Sequence, residues 1–217
     1  MKISKRLLNF AYVWRKLQQQ WFQYRNPDAP WLTEQAVILL STWLRESDIG
    51  IEWGSGRSTL WFASRVSKIS SVESDLTWYE KVQGQLERSG LTEKVDYRDV
   101  PVGIKDSEPP RKNPYSDVAD EFHDGSLDFA LIDGKVRLAC VERVMPKLKS
   151  GGLLILDNAE RYVPNRVMGK HSTVINGMAS PRDAHWDATL TQLDSWRAIL
   201  SSNGIWDTRF WIKPETR

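Results

Sequence analysis

A chain of 217 residues, 41% apolar and 27% charged, can bury a core without covalent staples, and its length suits one domain with a short extra segment. Lys and Arg number 30 against 28 Asp and Glu, a formal net charge of +2 that is too small to imply nucleic acid, and none is expected as a partner. The lone Cys140 excludes an intramolecular disulfide and fits a reducing, cytoplasmic compartment, while the longest apolar run, residues 36–44, is too short to span a bilayer.

At the start of the chain, Ile3, Leu7, Phe10, Trp14, Leu17, Trp21 and Tyr24 recur at steps of four and three, which predicts a helix with one apolar stripe. Residues 1–25 carry Lys2, Lys5, Arg6, Arg15, Lys16 and Arg25 and no acid. The apolar run at 7–14 is followed by RKLQQQ, where a cleavage site would need small residues, so no secretion signal is expected. Asn26-Pro27 and Pro30 end the helix, setting residues 1–30 apart as a basic amphipathic helix and linker before a domain over 31–217. Such a helix can pack on the domain, contact a second subunit in a homodimer, or lie on an acidic membrane surface as a peripheral contact.

Thr33 reads as the N-cap of a second helix reaching about Arg45. From Asp48 the rhythm changes to short β-branched runs, DIGIEW, KISSVE (68–73), EKVDYR (93–98), LDFALID (127–133) and GGLLILD (151–157), mostly followed by helical patterns. That alternation predicts crossover units around a mostly parallel sheet with helices on both faces. Residues 100–126 read as a long loop bordering a site, and 160–186 as a second irregular stretch. Asn203-Gly204 between two strand-like runs predicts a closing hairpin with an antiparallel last strand.

The first strand ends in Glu52-Trp53-Gly54-Ser55-Gly56 and leads straight into a helix. Glycine-rich strand-to-helix turns ordinarily receive anions on bare backbone N–H groups. A carboxylate two places before the first glycine argues for a guest that also carries positive charge. Glu73 closes the second strand 21 residues later, where a carboxylate can accept from both hydroxyls of a ribose.

Together these parts resemble a class I, Rossmann-like, S-adenosylmethionine-dependent methyltransferase over about residues 33–213. The resemblance implies a doubly wound, mostly parallel seven-stranded α/β sheet with a C-terminal antiparallel hairpin. It also implies a cofactor site of Glu52, Gly54, Ser55, Gly56, Glu73, Asp99 and Asp133. Within the family the chain is most similar to the catechol and caffeoyl-CoA type of O-methyltransferases. There an acid after strand four and an Asp-Asn pair after strand five hold a divalent cation, here Mg or Ca, at positions matched by Asp133, Asp157 and Asn158. That group commonly places a lysine base three residues after the first acid, whereas this chain has Lys135 at two and Arg137 at four, and the open alternative is that Asp133-Gly134 serves without a metal while Asp157-Asn158 caps a turn.

Asp133, Lys135 and His171 are the catalytic candidates, with His123 and His185 as further histidines in predicted loops. Arg137 and Arg161 are placed to receive an anionic acceptor. Asn113-Pro114-Tyr115 precedes strand four and is read as a chance match to an amino-group methyltransferase motif. The expected activity is methyl transfer to a hydroxyl of a small molecule or sugar. A non-catalytic interaction subunit and an NAD-dependent oxidoreductase are the alternatives, the latter disfavoured because Thr59 stands where its third glycine belongs.

Overall fold

The computed structural model describes residues 10–103, 113–163 and 184–215. A helix, α1 (Phe10–Arg25), and a second, α2 (Glu34–Trp43), precede the sheet. Thr33 takes the N-cap position of α2, but its hydroxyl pairs with Ser201 across the molecule instead of capping the helix. Five strands then alternate with helices: β1 (Ile49–Trp53), α3 (Arg57–Ala63), β2 (Lys68–Glu73), α4 (Leu76–Ser89), β3 (Val95–Asp99), α5 (Pro114–Asp117), β4 (Leu127–Ile132), α6 (Arg137–Val144) and β5 (Leu148–Leu156). The described chain closes with α7 (Ala184–Leu193) and the hairpin β6 (Arg197–Ser202) and β7 (Asp207–Ile212).

The seven strands lie in the order β3-β2-β1-β4-β5-β7-β6, parallel except that β7 runs antiparallel to both neighbours. The expected Rossmann-like plan is therefore present. β5 starts three residues earlier than the sequence indicates and passes an irregularity beside Gly151, whose φ of +81° only glycine adopts cheaply.

Because successive strand side chains point to opposite faces, each strand feeds two cores. Ile51, Trp53, Ala130, Ile132, Leu154 and Leu156 pack on the side of α5, α6 and α7. Phe129, Leu131, Leu153 and Ile155 pack with Leu40, Phe62 and Leu86 on the side of α2, α3 and α4. The order reverses between β1 and β4, so a crevice opens above their carboxyl ends, where open α/β sheets bind ligands.

One expectation changes here and one open choice narrows. The stretch 100–126 is not all loop, because Asn113 caps α5 by accepting from the Tyr115 N–H at 3.0 Å, with Pro114 at the first helical position. Asn113-Pro114-Tyr115 is thus a helix start, and it buries Tyr115 completely. The stripe of α1, in turn, faces away from the domain: Phe10, Trp14, Leu17, Trp21 and Tyr24 are exposed, and Phe22 from the other face enters the core.

Candidate active site

The turn after β1 is built from beneath. Glu52 lies on the α3 side of the sheet, fully buried, where it accepts from the Thr59 hydroxyl and from Ser71 Oγ at 2.7 Å. Thr59 Oγ1 accepts in turn from the Gly56 N–H at 3.0 Å, so the carboxyl fixes the second glycine of the turn through one hydroxyl. Burial pushes the Glu52 carboxyl up to about 7, against the lowering effect of the Thr59, Ser71 and Ser58 hydroxyls. Its Oε2 atom is buried with no hydrogen-bond partner among the described residues. The sequence placed Glu52 at the entrance of the turn; the structure places it under the floor.

Gly54 and Gly134 sit back to back where the turns after β1 and β4 meet. A Cβ on Gly54, whose φ is +91°, would stand 2.8 Å from the Gly134 N atom, and a Cβ on Gly134 would stand 2.0 Å from the Tyr115 hydroxyl and 2.9 Å from Gly54 N. At Gly56 the nearest atoms to such a Cβ belong to the Trp78 ring at 3.8 Å, which leaves the turn open toward the crevice.

Glu73 closes β2 at 7% exposure. Its Oε1 accepts from the Ser74 and Asp75 N–H groups at 2.7 and 3.0 Å, and its Oε2 from the Ser55 N–H and hydroxyl at 3.0 and 2.8 Å. The Ser55 hydroxyl also lies 2.7 Å from the Tyr97 hydroxyl, and the Trp78 indole N–H donates to the Ser55 carbonyl at 2.8 Å. Asp99, one strand further out, pairs in register with Glu73 but is exposed and does not line the cleft.

A cleft of about 910 Å³ runs across these strand ends. Ser55, Gly56, Glu73 and Trp78 line one part of it, and Asp133, Lys135, Arg161, Tyr162 and Trp186 another. Tyr162 and Trp186 stack with ring centroids 5.3 Å apart. The Asp133 side chain is 35% exposed and meets the Arg137 guanidinium at 3.0 Å. Arg137 itself is buried: it donates to the carbonyls of Gly134 at 3.0 Å and Asp133 at 2.8 Å, and to that of Asp157. One guanidinium thus ties the end of β4 to the end of β5. Burial raises the Asp133 carboxyl above its ordinary range, with Arg137 opposing the shift. Val136, just before α6, holds φ +40°, a left-handed conformation costly for a β-branched residue and typical of strained functional turns.

A family model described as a methyltransferase domain matches residues 51–159, half of the chain. The chain belongs to this methyltransferase family. No curated protein matches its sequence significantly. Among solved structures it is similar to a methyltransferase from Geobacter sulfurreducens, with 13% identity and a TM-score of 0.57 over 93% of this chain and 89% of that one. The O-methyltransferase from Bacillus cereus in complex with S-adenosylhomocysteine gives 18% identity and 0.55 over 81% and 78%. An rRNA methylase from Streptococcus thermophilus gives 13% and 0.55 over 82% and 93%. At such identities the likeness is one of fold.

The methyltransferase cleft fits S-adenosylmethionine on its own chemistry. It offers an open glycine turn and a nearly buried carboxylate at the end of β2 to a ligand that carries a ribose diol and a charged amino-acid tail, with Glu52 holding the turn from beneath.

The cation expected at Asp133, Asp157 and Asn158 does not fit. Asp157 is buried outside the cleft lining, its Oδ1 accepting from Thr208 Oγ1 at 2.7 Å and its Oδ2 from the Asn158 amide at 3.1 Å. Burial, and then the neighbouring Asp133 charge, push the Asp157 carboxyl up to about 8. The Arg137 guanidinium supplies the positive charge between the two strand ends, and a second cation there would be repelled. Among the described residues no group of three or more His, Cys, Asp or Glu could hold a metal.

Arg137 and Arg161 both border the cleft, but the Arg137 guanidinium is engaged by the Asp133 carboxylate and by three backbone carbonyls. His123 is exposed in the turn that enters β4, at the opposite end of the sheet from the cleft. His185 falls in α7, and His171 lies outside the described residues. Tyr115, Tyr162 and Trp186 were missed as lining residues. Tyr115 stands in the Asn113-Pro114-Tyr115 stretch read as a chance match, whereas no local motif marks Tyr162 and Trp186, which reach the cleft through packing on the side of α6 and α7.

Proposed function

We propose that this methyltransferase transfers the methyl group of S-adenosylmethionine to a hydroxyl of a small, ring-bearing acceptor. The observation that carries this reading is one cleft whose lining joins a glycine turn and Glu73 with a partly exposed carboxyl, Asp133, and the stacked Tyr162–Trp186 pair. The bound cofactor supplies an activated methyl on a sulfonium; the chain's own residues bind, orient and manage the proton.

Glu73 is assigned to the ribose diol. All four of its usual acceptor positions are taken, but the Ser55 hydroxyl can turn to Tyr97, already 2.7 Å away, and free one of them. The main chain at Ser55 and Gly56 is assigned to the amino-acid tail, with Glu52 holding the turn in shape. At the acceptor end, the Tyr162–Trp186 pair can receive a flat or apolar ring face, a chemistry that suits sugars and aromatic rings alike. Asp133 is assigned to take the hydroxyl proton. A carboxyl raised by burial is a better base than an ordinary one, and Arg137 orients it without filling the cleft. Lys135, exposed on the same rim, can hold a partial negative charge on the acceptor oxygen.

Calorimetry and product analysis test the reading. S-adenosylhomocysteine should bind the wild type, and Glu73→Ala should bind it at least about tenfold more weakly, the loss of one or two charge-assisted hydrogen bonds. Asp133→Asn should keep that affinity while losing transfer of labelled methyl to a panel of phenols and sugars. Equal binding by Glu73→Ala, or label appearing only in nitrogen or ribosomal RNA acceptors, would refute it.

A further inference from the structure

The helix α1 is attached to the domain by the wrong face for an ordinary amphipathic helix. Its polar side makes the contacts: Gln19 Nε2 donates to the Leu32 carbonyl and Gln23 Nε2 to the Pro30 carbonyl, both at 3.1 Å. Asn203 Nδ2 donates to Gln19 Oε1 at 3.0 Å and Arg57 Nη1 to Gln23 Oε1 at 3.3 Å. The opposite side presents Phe10, Trp14, Leu17, Trp21 and Tyr24 at 52% to 83% exposure. Surface helices bury their apolar stripe; here polar side chains spread over α2's approach and the β6–β7 turn hold the stripe outward.

We propose that this face docks on an anionic lipid surface. Charge decides between occupants. Residues 1–25 contain six Lys or Arg and no Asp or Glu. On α1 the exposed Lys16 and Arg25 flank the aromatic stripe, with the Arg25 guanidinium 5.0 Å from the centre of the Trp21 ring. A second copy packed stripe to stripe about a two-fold axis would bring these cations toward their equivalents, and neither helix has a carboxylate to pair with them. An anionic surface supplies the missing sign, and Trp and Tyr rings suit the boundary between headgroups and acyl chains. Among the described residues no helix is long and apolar enough to cross a membrane, so α1 lies on the surface. The glutamines of α1 grip the carbonyls of Pro30 and Leu32, which border the cleft with the exposed Trp31, so the docking helix is fastened to the cleft rim.

Vesicle sedimentation of the full chain tests this, independently of methyl transfer. The wild type should sediment with vesicles of equal parts phosphatidylcholine and phosphatidylglycerol, should not sediment with phosphatidylcholine alone, and should be released by high salt. Lys16→Ala/Arg25→Ala should bind about 25-fold more weakly, each basic residue near such a surface contributing roughly fivefold. Trp14→Ala/Trp21→Ala should lose binding while unfolding at the wild-type temperature, since both rings are exposed. Binding indifferent to lipid charge or to salt would overturn the proposal. So would a concentration-dependent dimer that dissociates in Trp14→Ala/Trp21→Ala while vesicle binding is unchanged.

Discussion

Replacing Glu52 with Gln should change stability in a way that depends on pH. The carboxyl is fully buried, and its folded value of about 7 stands above the ordinary 4.5. Below 4.5 it is protonated in the folded and unfolded chains alike, and ionisation costs the fold nothing. Between 4.5 and about 7 the unfolded chain releases its proton first, so stability falls as pH rises; above about 7 the loss is complete. The full loss, 7 minus 4.5 at about 1.4 kcal/mol per pH unit, is about 3.5 kcal/mol. Glu52→Gln removes that loss while keeping an oxygen for Thr59 and Ser71. Its amide N–H groups take the place of the unpartnered Oε2 and add a constant penalty of about 1–3 kcal/mol. Urea unfolding of both proteins near pH 5 and near pH 8 cancels the constant part. The variant should gain about 2.5 kcal/mol relative to wild type between the two pH values. A difference between the proteins that stays the same at both pH values would refute the assignment of a buried, protonatable carboxyl under the turn.

Gly134→Ala should cost about 2 kcal/mol or more in urea unfolding, because the new Cβ would stand 2.0 Å from the Tyr115 hydroxyl and 2.9 Å from backbone. Adding Tyr115→Phe should recover part of that loss and no more, since the backbone clash remains. Arg137→Met should cost roughly 3 kcal/mol in thermal unfolding corrected to free energy, because three strand-end carbonyls and the Asp133 carboxylate lose their donor at once. Chelation with EDTA should leave methyl transfer unchanged; activity lost to EDTA and restored by magnesium would show that a cation displaces the Arg137 tie.

The strands and their closing hairpin were legible because their signals are local and repeated. Each β-branched run is bounded by a turn, and Asn203-Gly204 marks the hairpin. Gly54 and Gly56 were legible as a turn, but the reason for Gly54 was not. Its neighbour is Gly134, eighty residues away in sequence, and only the folded sheet brings them together. Glu52 was recognisable by its place before the glycines, yet its burial follows from the alternation of side chains along β1, which points it at α3. The acids Asp133 and Asp157 read as a metal pair because residue type shows charge and not occupancy. The i, i+4 spacing of Asp133 and Arg137 was the available hint that the charge is already met. For α1 the stripe was plain, but its direction was set by Gln19 and Gln23, whose contacts no periodicity reports.

The contact between Gly54 and Gly134 has an evolutionary corollary. With no side chain between them, the two halves of the cleft share a rigid seam of main chain, so the spacing from donor to acceptor is set before any substrate arrives. Descendants of this enzyme could retune the wall formed by Tyr162 and Trp186 without disturbing that spacing, whereas a drift at either glycine would alter every reaction the scaffold could host.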